Sequence, residues 1–224
     1  MRDLPTDTVT LLFTDVEGST RLLTDLGDGY AEVLAEHRRA LRAAFERHGG
    51  VEVDTQGDAF FVAFADAEGG VGAAGDAQRE LAGGPVKVRV GVHTGEPSRT
   101  DEGYVGLDVH RAARICAVAY GGQVVLSDRT RRLLEPAVEV SDLGLHRLKD
   151  IPEPERLYQL GSEAFPPLRS LNATNLPSQA SPLIGRVREV AELVPLARGH
   201  RVVTLTGPGG SGKTRLALEF AARR

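Results

Sequence analysis

The sequence predicts an α+β domain, followed by a linker and an incomplete strand–loop–helix segment. Three observations carry that expectation. Apolar or alternating runs of strand length recur at residues 8–14, 51–55, 59–64, 86–92 and 123–127. Between the first two runs, apolar residues fall three and four apart, the spacing of one helix face. Strands and helices then mix without the strict alternation of a parallel βαβ sheet.

Residues 8–14 read as a buried strand ending next to Asp15. From Ser19 to about His48 the apolar set Leu22, Leu26, Tyr30, Val33, Leu41 and Phe45 marks an amphipathic helix, with Gly27 and Gly29 kinking or splitting it. Gly49 and Gly50 stop it. Residues 51–55 and 59–64 form two strands joined by a tight turn at Gln56, Gly57 and Asp58. A helix of small residues spans about 65–81, and residues 86–92 alternate as a strand. Residues 107–119 are helical, 123–127 a strand and 128–134 a short helix, with strands near 143–148 and 156–160. After Leu160 the composition changes. Four prolines and many small polar residues between Phe165 and Pro182 are linker chemistry. The expected division is a domain at 1–163, a linker at 164–185 and a third segment at 186–224.

Composition bounds the function. Of 224 residues, 41% are hydrophobic and 26% charged, which fits a soluble globular protein. The net charge of −4, without a basic stripe, gives direct nucleic-acid contact no electrostatic support. No apolar run approaches the ~20 residues of a membrane span, and the N-terminus has no signal-peptide core. One cysteine, Cys116, excludes an internal disulfide and falls in an apolar helical stretch, where it reads as a core residue. The expectation is a soluble, cytoplasmic protein.

Two carboxylates stand out. Asp15 ends a strand and Asp58 lies in a hairpin turn, so both can converge on one sheet edge. Such a pair offers hard oxygen ligands to divalent cations, leaving positions for water and phosphate. Gly18, Ser19 and Thr20 precede a helix, and backbone N–H groups there can receive phosphate oxygens. Singly, each has a plainer reading: Asp15 as a loop residue ahead of a capped helix, Asp58 as a turn former.

The combination decides. Phe13 to Thr20, Gln56 to Phe64, Gly106 to Arg114 and His146 to Tyr158 resemble the class III adenylyl/guanylyl cyclases in order, spacing and strand–helix context, over about residues 7–161. The resemblance implies a ferredoxin-like cyclase fold working as a head-to-tail homodimer on ATP or GTP. It implies two Mg²⁺ or Mn²⁺ ions per site on Asp15 and Asp58, with the Val16 carbonyl as a further ligand. Arg114 of the other subunit would stabilise phosphate charge. Lys149 falls where the family often contacts phosphate, although a solvated surface lysine is an equal reading. Three positions depart from the family. Asp54 stands where adenylyl-specific members carry a base-reading lysine, Gly103 where its aspartate partner belongs, and His110 where an asparagine orients the ribose. Lost base-reading groups remove base discrimination first. His110 can still bond a ribose oxygen, or be satisfied in a dimer interface. A weak cyclase and a silent nucleotide-binding or dimerising input therefore both remain open.

Gly207 to Thr214 matches a P-loop, with a strand expected at 202–206 and a helix from Lys213. In such a loop Gly207 and Gly212 let backbone approach phosphates, Lys213 reaches the β/γ oxygens and Thr214 holds Mg²⁺. The lead-in at Asn175 and Ile184 to Arg186 resembles the NTPase module of large bacterial transcriptional regulators, of which this chain would hold only the beginning.

Overall fold

The computed structural model describes residues 4–170 and 185–222. The chain divides into two units, Met1–Leu171 and Asn172–Arg224.

In the first unit the chain runs β1 (Val9–Val16), α1 (Ser19–Leu26), a 3-10 turn (Gly27–Gly29), α2 (Tyr30–Arg47), β2 (Val51–Gln56), β3 (Ala59–Phe64) and α3 (Ala67–Glu80). It continues through β4 (Val88–Gly95), β5 (Ser98–Thr100), β6 (Gly103–Val105), α4 (Leu107–Val118), β7 (Val124–Ser127), α5 (Asp128–Leu133), β8 (Val140–His146) and β9 (Glu155–Leu160). Seven strands form one sheet in the order β2-β3-β1-β4-β7-β9-β8. The β4–β7 pair is parallel and the others antiparallel, so the sheet is mixed and mainly antiparallel, which fits an α+β domain. The glycines at 27 and 29 do split the first helical stretch.

Strand side chains alternate between faces. Leu12, Val16, Phe60, Val62 and Phe64 pack with Leu41, Phe45, Val71 and Ala74 of α2 and α3. The opposite set, Val9, Leu11 and Ala63, packs with Tyr104 and Ala112, with Phe13, Phe61 and Val53 at its margin. Asp15 is in step with Val9, Leu11 and Phe13, so it belongs to the face that α4 covers. The α4 helix lies directly on β4. A Cβ on Gly91 would stand 2.2 Å from the Cys116 backbone nitrogen, so only glycine permits this approach.

Three features differ from the sequence reading. The short pair β5–β6 was not expected, because three-residue strands carry too little alternation to be seen. Residues 164–170, expected to open the linker, pack on the first unit. Leu168 is 3% exposed and joins the cluster of Ile115, Val118, Val125 and Leu157. The rest of that linker up to residue 184 lies outside the described residues. In the second unit, α6 (Val187–Gly199) and α7 (Lys213–Ala222) pack through Val190, Leu193 and Leu216, with Leu205 and Phe220 beside them. Residues 202–206, expected as a strand, are irregular, and Val202 is 80% exposed. A lone extended segment has no ladder to satisfy its backbone.

Candidate active site

The register of β1 against β3 runs from Thr10↔Phe64 to Thr14↔Phe60. Continued two steps, it sets Asp15 and Val16 opposite Ala59 and Asp58, at one end of the sheet. Buried Thr14 Oγ1 accepts from the Phe60 N–H at 3.1 Å, fixing the two strand ends to each other. Arg38 of α2 donates to the Gly57 carbonyl and holds the hairpin turn from outside. Asp58 Oδ2 is buried and has no hydrogen-bond partner. Behind it lies His37, 1% exposed, with neither ring nitrogen bonded. Burial pushes the His37 pKa down to about 4, against the attraction of Asp58.

Asp15 has a cation already. It sits opposite Arg89 in the β1–β4 register, and Oδ2 accepts from Arg89 Nε at 2.8 Å and from Nη2. Val16, the last residue of β1, buries its side chain and leaves its backbone as its polar group. Gly18 caps α1 in the left-handed region at φ 68°, and no side chain caps the helix. Ser19 and Thr20 thus open a helix whose first turn holds no acidic residue, an arrangement that favours anions. Burial raises the Glu17 pKa, but bonds from Arg169 and the Gly121 N–H outweigh it and hold the carboxyl below its usual range.

A second group of residues gathers around α4. Arg114 Nη2 donates to Asp150 Oδ2 at 2.6 Å, and Nε to the Lys149 carbonyl at 3.1 Å. That brings Arg114 to the turn carrying exposed Lys149. His110 is exposed on the same helix. Asp108 fixes the start of α4. It accepts from Arg111 Nη1 at 2.6 Å and from the Glu96 N–H at 2.9 Å, and its Oδ1 lies 3.1 Å from buried His93 Nε2. The His93 bond, reinforced by the others, holds the Asp108 carboxyl well below the usual range despite partial burial. His93 Nδ1 is 2.8 Å from Ser127 Oγ, which is fully buried, so this Ser–His–Asp row has no access to substrate and serves to seat α4. Among the described residues no hydrogen bond or ion pair joins Arg114 to Asp15 or Asp58; the carboxylates and the α4 group form separate halves.

At both positions expected to read the base, neighbouring residues are already engaged. Exposed Asp54 accepts from the Thr55 N–H at 2.8 Å and from Gln56 Nε2 at 2.9 Å, so both of its oxygens are engaged by neighbours. Gly103 has φ 137°, and a Cβ there would meet Val53 Cγ1 at 2.7 Å. An aspartate could not occupy it without displacing Val53, the residue at the bulge in the β2–β3 register.

A family model of the adenylate and guanylate cyclase catalytic domain matches residues 1–162. The chain belongs to this cyclase family. Uncharacterized protein Rv0891c of Mycobacterium tuberculosis is 38% identical over 200 residues, covering 84% of this chain and 70% of that protein. Receptor-type adenylate cyclase GRESAG 4.1 of Trypanosoma brucei brucei is 30% identical over 211 residues, 70% of this chain and 17% of that protein. The structure of adenylate cyclases from Trypanosoma brucei in their monomeric state superposes with a TM-score of 0.68 at 29% identity, covering 75% of this chain and 97% of that one. The guanylate cyclase domain of RhGC from Catenaria anguillulae, in complex with GTP, shares the fold with a TM-score of 0.62 at 20% identity over 70% of this chain.

In this cyclase domain, sequence reasoning missed Arg89 and Glu17. Arg89 shows its relevance only once β4 is paired with β1 in register, and Glu17 only once the turn at Gly121 is placed. No described helix is long and apolar enough to cross a membrane. In the second unit Lys213 heads α7 and turns back on its own loop, donating to the Gly207 and Pro208 carbonyls at 2.8 and 2.7 Å. Gly212 accepts at its carbonyl from the Leu216 N–H at 2.9 Å, and Thr214 is exposed.

Proposed function

We propose that this chain is a nucleotidyl cyclase acting on ATP or GTP in a head-to-tail homodimer, with two Mg²⁺ or Mn²⁺ ions per site. The observation that carries the reading is the unpartnered Asp58 Oδ2, in the hairpin turn at the same end of the sheet as Asp15. A buried carboxylate oxygen without a donor is costly, and a divalent cation is the partner that chemistry suits. Asp15, Asp58 and the Val16 carbonyl would hold the ions, which supply charge neutralisation at the α-phosphate and at the attacking ribose oxygen. The N–H groups of Gly18, Ser19 and Thr20 receive phosphate oxygens at the start of α1. Arg89, bonded to Asp15, adds a cation to this half-site.

The ribose 3′-oxygen attacks the α-phosphorus and releases its proton, and the bond from that phosphorus to the bridging oxygen breaks. The products are the 3′,5′-cyclic nucleotide and pyrophosphate. The separation of Arg114 and Lys149 from the carboxylates supports a shared site, in which Arg114 of the partner subunit stabilises the transition state and His110 of the partner subunit orients the ribose.

A second reading, a silent nucleotide-binding or dimerising module, draws support from the engaged oxygens of Asp54 and from Gly103 closed by Val53. The test is a cyclase assay on the full chain with Mn²⁺, offering ATP and GTP separately, with Asp58→Ala as control. Cyclic product that disappears in the control supports the enzyme and names its base. No product from a chain that dimerises supports the silent module. For the second unit we propose a P-loop phosphate-binding segment, supported by the Gly207–Thr214 pattern and the helix that starts at Lys213.

A further inference from the structure

We propose that Arg169 is a positioning residue for the cyclase site, clamping the loop between Asp15 and α1 through Glu17. The inference rests on the cyclase reading above, but Arg169 and the strap at 163–170 lie beyond the 1–162 that the family model matches.

Only two residues, Glu17 and Gly18, separate β1 from α1. Glu17 is the sole side chain of that loop, and it is held at three points. Its N–H donates to the Lys87 carbonyl at 2.8 Å. Its Oε2 accepts from the Gly121 N–H at 3.0 Å. Its Oε1 pairs with Arg169 Nη2. Displacing Glu17 moves Val16 on one side and the phosphate-receiving N–H groups of Ser19 and Thr20 on the other.

Arg169 is itself seated in a built strap. The Glu163 carbonyl accepts from Gln159 Nε2 at 2.7 Å, and the Pro167 carbonyl from the Tyr120 hydroxyl at 3.0 Å. Leu168 is buried, the Arg169 N–H donates to the Val118 carbonyl at 3.1 Å, and Ser170 Oγ lies 2.9 Å from His146 Nδ1. The Arg169 guanidinium lies over the Tyr120 ring, 4.1 Å from its centroid. An isolated surface ion pair loses much of its value to side-chain entropy. Here stacking and backbone anchoring have already restricted the arginine, so the bond to Glu17 is made from a preset position. Val118 ends α4, the helix carrying Arg114. One residue therefore ties the loop after Asp15, through its guanidinium, to the end of that helix, through its backbone N–H.

The test uses the full chain with Arg169→Ala, Arg169→Lys, Glu17→Gln and the Glu17→Gln/Arg169→Ala pair. Arg169→Ala is expected to raise the half-saturating Mn²⁺ concentration and the nucleotide KM about tenfold, with a smaller fall in kcat. Arg169→Lys should recover part of the loss, and the double variant should be no worse than the worse single one. Unchanged KM and Mn²⁺ dependence in Arg169→Ala, or single effects that multiply, would overturn the proposal. Should the wild-type chain make no product, the cyclase reading fails separately, and equilibrium binding of Mn²⁺ with a fluorescent nucleotide replaces turnover. Hydrogen exchange across residues 16–20 is read on the same proteins. Faster exchange and weaker binding in Arg169→Ala support the clamp; no change in either refutes it. Arg169→Gln, which keeps much of the side chain's bulk over Tyr120, stands in if the alanine variant does not fold.

Discussion

His37 and Asp108 illustrate opposite treatments of a polar side chain in this fold. Asp108 is given three donors or partners and serves to anchor α4. His37 is buried with none, and burial lowers its pKa to about 4. The consequence for stability has a definite sign. The unfolded chain takes up a proton at this residue near pH 6.5 while the folded chain resists it down to about 4. His37 therefore costs nothing by this route above about pH 7, and its cost grows as pH falls from 6.5 towards 4. Urea denaturation of the wild type and His37→Leu at pH 7.5 and pH 5 should show the variant gaining on the order of 1–2 kcal/mol, relative to wild type, at the lower pH. An equal difference at both pH values would mean that His37 is solvated or bonded in solution.

Among the secondary structures, α4 depends most on a single contact, the absence of a side chain at Gly91. Gly91→Ala would force α4 away from β4, and overpacking of this kind costs about 1–3 kcal/mol. Because α4 carries Arg114 and His110, the variant should lose cyclase activity more steeply than its thermal stability, read from a melting curve and an assay on the same sample. Retained activity with lowered stability would show that α4 tolerates the shift. The sequence made most of this architecture visible, for identifiable reasons. Apolar runs of strand length revealed β1 and β3, alternation revealed β4, three-and-four spacing revealed α2, and the Gly57–Asp58 pair revealed the turn between β2 and β3. The strap at 163–170 was hidden because its prolines and small polar residues look like a linker, although Leu168 and Arg169 find partners made by distant residues. The irregular course of 202–206 was hidden for the converse reason: a β-branched run signals a strand only where a neighbouring strand exists. In the candidate site, Asp15 and Asp58 were visible as motif residues, whereas Arg89 needed the β1–β4 register and Glu17 needed the turn at Gly121.

The chain as a unit presents half of what the proposed chemistry needs at each of two places. Asp15, Asp58 and the start of α1 lie at one, and Arg114, His110 and Lys149 at the other. A head-to-tail homodimer joins unlike halves and forms two equivalent sites, as a closed two-fold assembly dictates. The most direct measurement is complementation. Asp58→Ala and Arg114→Ala are assayed singly and after mixing, with wild type as reference and Mn²⁺ with the preferred nucleotide. Each variant alone should be inactive, because both sites of its dimer lack one half. In a random mixture half of the dimers are heterodimers with one intact site of two, so about a quarter of wild-type activity should return. A mixture that stays as inactive as its components, beside an active and dimeric wild type, would contradict a site shared between subunits.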